Sequence, residues 1–337
     1  SRFSPPATPL LVGERYLPDD VLQRVLVGLP LDDHRAAASV CKSFRGIITG
    51  PRFLAARRRY GFAERGVVTV FRGDGGLQIK TAHKSDVMAT IPVNRLSYYS
   101  TTTDGGARLF VCTKGRSPLP SAEGEGGIPG QILALDPSSR RWRRFATLPQ
   151  VRGVHCLMWH AGLLYVAGGI SSSTGIPTNS FHVYSEATGL WEELPAMPHA
   201  CVWAASGVIG NELFVAGGRG VNHEHLSTLQ IYDFTARTWR VGAPLPRAEC
   251  GACGIVVGDG RLYLVPLTDS RSTMVYDVQS NTWTEQPGLP TDLGQYGAMH
   301  AFAHNGRIVA VNSSGSVYQG GTGSDPNNWS PFDLDVA

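Results

Sequence analysis

Tyr165-Val166-Ala167-Gly168-Gly169, followed by Val183-Tyr184 and then Trp191, is matched by Phe214-Val215-Ala216-Gly217-Gly218, Ile231-Tyr232-Asp233 and Trp239. The tyrosine precedes the tryptophan by 7 residues in both copies, and the second glycine precedes it by 22 and 21. Two short apolar runs with a Gly pair, a tyrosine and a tryptophan, recurring after 48 residues, are an internal repeat. A period of that size points to a propeller or an array. Each unit exposes two faces of a small sheet and stacks on its neighbours to bury them.

The repeat extends both ways. Trp142, Trp191, Trp239, Trp283 and Trp329 are spaced by 49, 48, 44 and 46 residues. The unit before the quoted pair has Leu109-Phe110-Val111, Ile132 to Asp136 and Trp142. The unit after it has Leu262 to Val265, Val275-Tyr276-Asp277 and Trp283, with Val265-Pro266 in place of the Gly pair. The last has Ile308 to Val311, Val317-Tyr318 and Trp329, with four extra residues between Tyr and Trp. Ahead of them all, Val67 to Phe71, Leu77 to Lys80 and Val87 to Val93 read as strands of a degenerate unit without Trp or Gly pair. Six units predict a mainly β propeller of six blades. Five or seven stay open, because the first unit lacks an innermost strand and Asp333 to Ala337 is short for supplying one. Lys114 to Gln131, rich in Gly, Pro, Ser and Glu, is expected to be a disordered loop.

The cassette residues have structural reasons. A Gly pair ends the second strand where the backbone approaches a neighbour at positive φ, which glycine permits. Trp and Tyr fill the space between blades while a polar tip finds a hydrogen bond. Leu-Pro after each Trp strand ends the blade, since proline cannot donate to a ladder.

Composition agrees. In 337 residues, 40 Gly and 22 Pro with 17% charged residues fit many short strands joined by turns, and exclude a helical bundle. Net charge is +3, but residues 1–65 carry 11 Lys/Arg against 6 Asp/Glu and the remainder 19 against 21. The first part is a different kind of object. The six cysteines are scattered, Ser1 to Pro9 show neither a basic n-region nor an apolar h-region, and no run approaches the ~18 apolar residues of a bilayer span. A reducing cytoplasmic or nuclear setting with free thiols, without membrane or nucleic-acid partner, is the expectation. Residues 1–15 are expected to be a disordered lead-in, 16–61 a small all-α module, and 62–337 the propeller.

The module begins at Leu17-Pro18-Asp19-Asp20, where Pro suits a first turn and Asp favours a helix N-terminus. Leu17, Val21, Leu22, Val25, Leu26 and Leu29 share one helical face, and Pro30 stops it. A second helix runs through Ala36-Ala37-Ala38 and on through Val40-Cys41-Lys42-Ser43-Phe44-Arg45. Some 45 residues with exposed apolar positions suit a docking module or a cap on the propeller.

Leu17-Pro18-Asp19-Asp20, Leu29-Pro30-Leu31 and Val40-Cys41-Lys42-Ser43-Phe44-Arg45 resemble the F-box, with Phe44 where the pattern has Trp. The Gly-Gly, Tyr-Asp and Trp cassette resembles the kelch repeat. Together they resemble a large plant-type family of F-box/kelch substrate receptors. The resemblance implies that Leu17, Pro18, Val21, Leu22, Val25, Leu29, Pro30, Val40, Cys41 and Phe44 bind a Skp-type adaptor. Through it the chain would join a cullin–RING ubiquitin ligase, without catalysis or cofactor of its own.

The chain carries few signs of chemistry of its own. Cys250-x-x-Cys253 lacks a second Cys pair for a four-ligand zinc site. Aligned on Leu213 and Leu262, Cys250 matches Cys201 and Cys253 matches Ala204, all at crowded innermost positions. No phosphate-binding Gly loop precedes a helix, and no Gly-x-Ser-x-Gly elbow occurs. The kelch fold also carries a copper sugar oxidase, so a small-molecule sensor or oxidase, or a non-ligase scaffold, are the alternatives. Recognition remains. The inter-blade joins hold Arg95, Arg152, His199, Trp203, Arg247 and Tyr296, and loops on the same face hold Arg219 and Arg271. A ring of arginines with aromatics between suits an acidic or phosphorylated peptide of a target protein. On this reading, replacing Arg152 and Arg247 by alanine abolishes target capture.

Overall fold

The computed structural model describes residues 10–12, 15–17, 37, 39, 40, 44, 68–73, 76–81, 84–91, 99–103, 108–113, 130–136, 141–153, 155–257, 260–266, 272–288, 298–304, 307–312, 317–320 and 329–331. Among the described residues five four-stranded antiparallel sheets carry the repeat, each with strands in sequential order. They are blades of a propeller. Blade one is Tyr99–Thr103, Leu109–Thr113, Gln131–Asp136 and Arg141–Thr147; blade two is Cys156–His160, Leu163–Ala167, Phe181–Ser185 and Leu190–Leu194. Blade three is Ala205–Ile209, Glu212–Ala216, Leu229–Asp233 and Thr238–Val241. Blade four is Ala252–Val257, Arg261–Pro266, Thr273–Asp277 and Thr282–Gln286; blade five is Ala298–His304, Arg307–Asn312, Val317–Gly320 and Ser330–Pro331. First strands of successive blades lie beside one another.

Among the described residues the degenerate unit is a three-stranded sheet, Val68–Gly73, Gly76–Thr81 and Lys84–Ile91, and five units are four-stranded blades. Five was among the counts left open. The unit has no Trp to dock on a neighbour, and its first two strands are closed by a two-residue Asp74-Gly75 connection.

Residues 1–66, 105–108 and 135–142 form one compact unit, and 67–104, 109–134 and 143–337 the other. In the first, Leu10–Val12 pairs antiparallel with Arg15–Leu17 across Gly13-Glu14. The expected disordered lead-in therefore contains a strand, and Leu17 ends a strand instead of starting a helix. Gly followed by a polar residue, flanked by Leu-Leu-Val and Tyr-Leu, is hairpin chemistry, and it takes Leu17 out of the helical face; Val21, Leu22, Val25, Leu26 and Leu29 lie outside the described residues. Ala37, Ser39, Val40 and Phe44 are helical as expected. Most of the loop 114–131 falls outside the described residues.

The core is a series of clusters between blades. Leu164 and Val166 pack towards blade one with Phe110, Ile132 and Phe145, whereas Tyr165 and Ala167 pack towards blade three with Leu213, Val215 and Tyr232. Alternate residues of one strand thus serve opposite neighbours, which is why the second strands read as unbroken apolar runs. Corresponding clusters join blade three to four and four to five.

Trp191 Nε1 donates to the carbonyl of Thr147 (2.7 Å), Trp239 to Pro195 (2.8 Å) and Trp283 to Ala243 (2.9 Å). Each acceptor lies at or just after the outer strand of the preceding blade. Each cassette tyrosine backs its tryptophan at 5.0–5.2 Å and meets a ring of the preceding blade: Tyr184 with Phe145, Tyr232 with Phe181, Tyr276 with Phe214. The aspartate after the tyrosine shapes the next turn. Asp233 Oδ1 accepts from the N–H of Thr235 and Ala236, and Asp277 Oδ1 from Gln279 and Ser280.

Gly168 and Gly169 have φ of 63° and 99°, and Gly217 and Gly218 repeat them at 64° and 96°. A Cβ on Gly168 would lie 2.7 Å from the Cys201 carbonyl, and one on Gly217 2.5 Å from that of Glu249. The pair is required on both counts, conformation and space.

Trp239→Phe, which keeps a ring but removes the N–H, is expected to lower stability by about 1 kcal/mol. Trp239→Ala is expected to lower it by about 3–5 kcal/mol. Urea unfolding of the two variants measures both.

Candidate functional site

The joins between blades and the loops after the Gly pairs are stitched together along one face. Arg152–Gly153 in the join before blade two pairs with Ile170–Ser171 in the loop of that blade. One blade on, Val202 bridges Arg219, Arg219 bridges His225, and Leu226 bridges Glu249 of the following join. Gly169 N–H donates to the Cys201 carbonyl (2.8 Å) and Gly218 N–H to that of Glu249 (2.7 Å). Each loop is therefore hydrogen-bonded to the join that follows it, and the face has a rigid frame.

That frame fixes which residues are equivalent. Cys201 and Glu249 accept corresponding bonds, so Cys201 corresponds to Glu249, not to Cys250. In the first strands Cys156 pairs with Ala167, Ala205 with Ala216 and Cys253 with Val265. Cys253 thus corresponds to Ala205 and Cys156, not to Ala204. The slip of one residue arises because the first hairpin of blade four has a three-residue connection, Val257 pairing with Arg261, where blades two and three have two.

Arg152, Cys201 and Glu249 then occupy one station, and all three are buried. Arg152, read from sequence as a target-binding loop arginine, is 1% exposed. Its Nη1 donates to the carbonyls of Gly168 (3.3 Å) and Ser180 (3.2 Å) and to Ser180 Oγ (2.6 Å). Its Nη2 donates to His182 Nδ1 (2.9 Å), which leaves the imidazole proton on Nε2. Burial lowers the guanidinium to about 10, against the nearby Cys112 and Glu193, which raise it, so it stays charged at neutral pH. The fold uses this arginine to satisfy backbone carbonyls at the end of the second strand. In the next blade Gln230 takes the place of His182, with Nε2 3.9 Å from Cys201 Sγ and Oε1 accepting the His199 N–H.

Arg247 is likewise engaged. It donates to Ser272 Oγ (2.9 Å), to the Ser272 carbonyl and to Glu285 Oε1 (2.9 Å), and its Nε is 3.5 Å from Glu249. An alanine at 152 or 247 therefore reports on folding, and the paired substitution expected to test binding does not isolate it. Ser180, His182, Gln230, Ser272 and Glu285 were missed from sequence. The signal lay in comparing third strands at equal distance from the cassette tyrosine, where His182 and Gln230 coincide.

Of the remaining expected target contacts, Arg95, Arg271 and Tyr296 lie outside the described residues. His199 is exposed. Trp203 and Arg219 come together: the guanidinium carbon of Arg219 is 4.3 Å from the centroid of the Trp203 ring. Trp203 has φ of 56°. The corresponding residue one blade on is Gly251, at 82°, and its N–H donates to the Trp203 carbonyl (3.0 Å). A left-handed backbone costs a non-glycine residue roughly 1–2 kcal/mol, and strain of this kind gathers at functional sites.

Of the adaptor-binding residues, Val40 is on a helix and 68% exposed, and Phe44 is on a helix and half-buried. Leu17 is in a strand; Pro18, Val21, Leu22, Val25, Leu29, Pro30 and Cys41 lie outside the described residues.

Burial pushes the Cys112 thiol up to about 12 and that of Cys156 to about 11, and raises Cys201 and Cys250 as well. Burial thus holds these four thiols further towards the neutral form than an exposed cysteine. Among the described residues no three His, Cys, Asp or Glu side chains gather as a metal site, and no helix is long and apolar enough to cross a membrane.

Comparison with known proteins matches the F-box domain family to residues 16–55 and the Kelch motif family to residues 160–198 and 202–246. An F-box/kelch-repeat protein of Arabidopsis thaliana is 23% identical over 281 residues, covering 82% of this chain and 61% of that protein. Kelch-like protein 36 of Mus musculus is 24% identical over 217 residues, 60% of this chain. The chain spans 33% of the length of that relative. Among solved structures, the one titled "Structure of YjhT" superposes with a TM-score of 0.51 at 17% identity, covering 66% of this chain and 74% of that one, a likeness of fold.

His155 is buried beside Arg152, and neither ring nitrogen has a hydrogen-bond partner among the described residues. Burial, then the Arg152 charge, lowers it from 6.5 to about 3, so the folded chain holds it neutral while the unfolded chain protonates it. Its share of stability is complete above pH 6.5 and is lost as pH falls towards 3. His182 is lowered for the same reasons. Between pH 6 and 4, His155→Leu is expected to flatten the fall of stability by up to about 1.4 kcal/mol per pH unit. Denaturant unfolding at stepped pH checks this.

Proposed function

We propose that this F-box/kelch-repeat protein is the substrate-recognition subunit of an SCF-type cullin–RING ubiquitin ligase. The helical segment docks on a Skp-type adaptor, and the join-and-loop face of the propeller captures a target protein. The observation that carries the reading is the succession of an F-box over 16–55 and kelch repeats in one chain. Exposed Val40 supports it, being an apolar side chain presented by a helix of the F-box segment.

The chemistry asked of the chain is positional. Holding the target and the ubiquitin-carrying enzyme on one assembly turns an encounter in solution into an effectively intramolecular one, with an effective concentration up to the millimolar range. The chain itself performs no bond-making step in this scheme. Its place of work is where cullin ligases act, the cytoplasm or nucleus.

Co-purification with a Skp-type adaptor tests the reading. Burying a valine is worth about 1.5–3 kcal/mol, so Val40→Asp is expected to weaken association tenfold or more. Its thermal stability is expected to stay within about 0.5 kcal/mol of the parent, because the position is on the surface. Leu17→Ala combined with Pro18→Ala is expected to act in the same direction. Undiminished adaptor capture by both variants overturns the assignment.

A further inference from the structure

We infer that Trp203 and Arg219 form the anchor of the propeller's target-binding face and that the group they take is a carboxylate side chain of the target. This deepens the target-capture reading above and rests on it. Three observations meet at the pair. First, Trp203 stands at a left-handed position, φ 56°, that the next blade fills with Gly251 at 82°. Glycine meets the needs of the frame there, so a bulky aromatic is held against the preference of its own backbone.

Second, Arg219 differs from its neighbours in how its charge is used. Arg143, Arg237, Arg240, Arg247 and Arg261 each pair with an aspartate or glutamate. Among the described residues Arg219 has no carboxylate within ion-pair distance, its Nε is buried without a hydrogen-bond partner, and its guanidinium carbon sits over the indole, 4.3 Å from the ring centre. A guanidinium presents its donors in a fixed planar fork, the geometry that grips a carboxylate through two N–H groups.

Third, the nearby acids among the described residues are spoken for. The Glu224 carboxylate accepts from the N–H of Asn222 within its own turn. Buried Glu249 accepts from the Cys250 N–H and is 3.5 Å from Arg247. The cation is thus complementary to an acidic side chain brought by the partner, and exposed Val221 two residues on offers apolar surface beside it. Aromatic and arginine side chains are the types that dominate binding energy at protein interfaces.

The test uses the whole chain and pools of labelled nonapeptides with randomised flanks and a fixed central residue: Glu, Gln, Lys or phosphoserine. The parent protein is expected to retain the Glu-centred pool at least tenfold over the Gln- and Lys-centred pools. Arg219→Gln is expected to lose that preference. Trp203→Gly is expected to lose it while melting within a few degrees of the parent, since glycine suits the backbone; if that variant fails to fold, Arg219→Gln carries the result. Equal retention of Glu and Gln pools, retention of the phosphoserine pool alone, no retention of any pool, or undiminished selectivity in Arg219→Gln overturns the inference. None of these outcomes depends on adaptor association, so failure of the anchor and failure of the ligase reading are told apart.

Discussion

The indole N–H of a cassette tryptophan, donated to a carbonyl of the blade before it, is the contact on which the architecture depends. It recurs at Trp191, Trp239 and Trp283. Behind each indole stands the cassette tyrosine, itself against an aromatic ring of the preceding blade. A four-stranded sheet alone leaves both faces wet. Here the facing sides of successive blades cover one another, and in blades two to four the Trp–Tyr pair sets how the two sheets meet. The sheet at 68–91 lacks the tryptophan altogether, and among the described residues it has three strands, not four.

Once the blades are fixed, the glycine pairs fix the face where recognition is sought. Left-handed Gly169 and Gly218 turn their N–H groups onto the carbonyls of Cys201 and Glu249. The same bonds tie loop to join, so this surface is held by backbone rather than by side chains. The side chains at the station are then free to differ, and they do: a buried cation, a thiol and a carboxylate succeed one another at 152, 201 and 249. Each solves its burial differently, Arg152 with carbonyls and His182, Glu249 with Arg247 and a backbone N–H. Variation of this kind inside a constant frame lets one fold carry different surfaces.

The arginines show where sequence reading stops. Arg152, Arg219 and Arg247 sit in similar polar contexts in the chain, yet one is buried among carbonyls, one lies on an indole and one is paired with acids. Most of their contacts come from residues 16 to 38 positions away, such as Gly168, Ser180 and Glu285, and no local pattern specifies those. At Leu17 alone the helical spacing gave way, for a related reason, while Val21 to Leu29 lie outside the described residues. Spacing describes a face, and Leu10–Val12, across a Gly-containing connection, was near enough to claim Leu17 for a strand.

By itself the sequence determined the repeat, the strands, the role of the Gly pair and of the Trp–Tyr cassette, and the separate character of the first 60 or so residues. Those features rest on local rules: side-chain alternation, the conformational freedom of glycine, and the size of an aromatic ring measured against a fixed period. Tertiary structure alone decided the four-stranded blade count, the one-residue shift that sets Cys253 opposite Ala205 instead of Ala204, and which basic residues face outward. These depend on hairpin connection lengths and on partners distant in the chain, where a difference of one residue moves every contact after it. The meeting of Trp203, at a glycine-like backbone position, with Arg219 belongs to the second kind, because only the folded frame brings a join and a loop side by side.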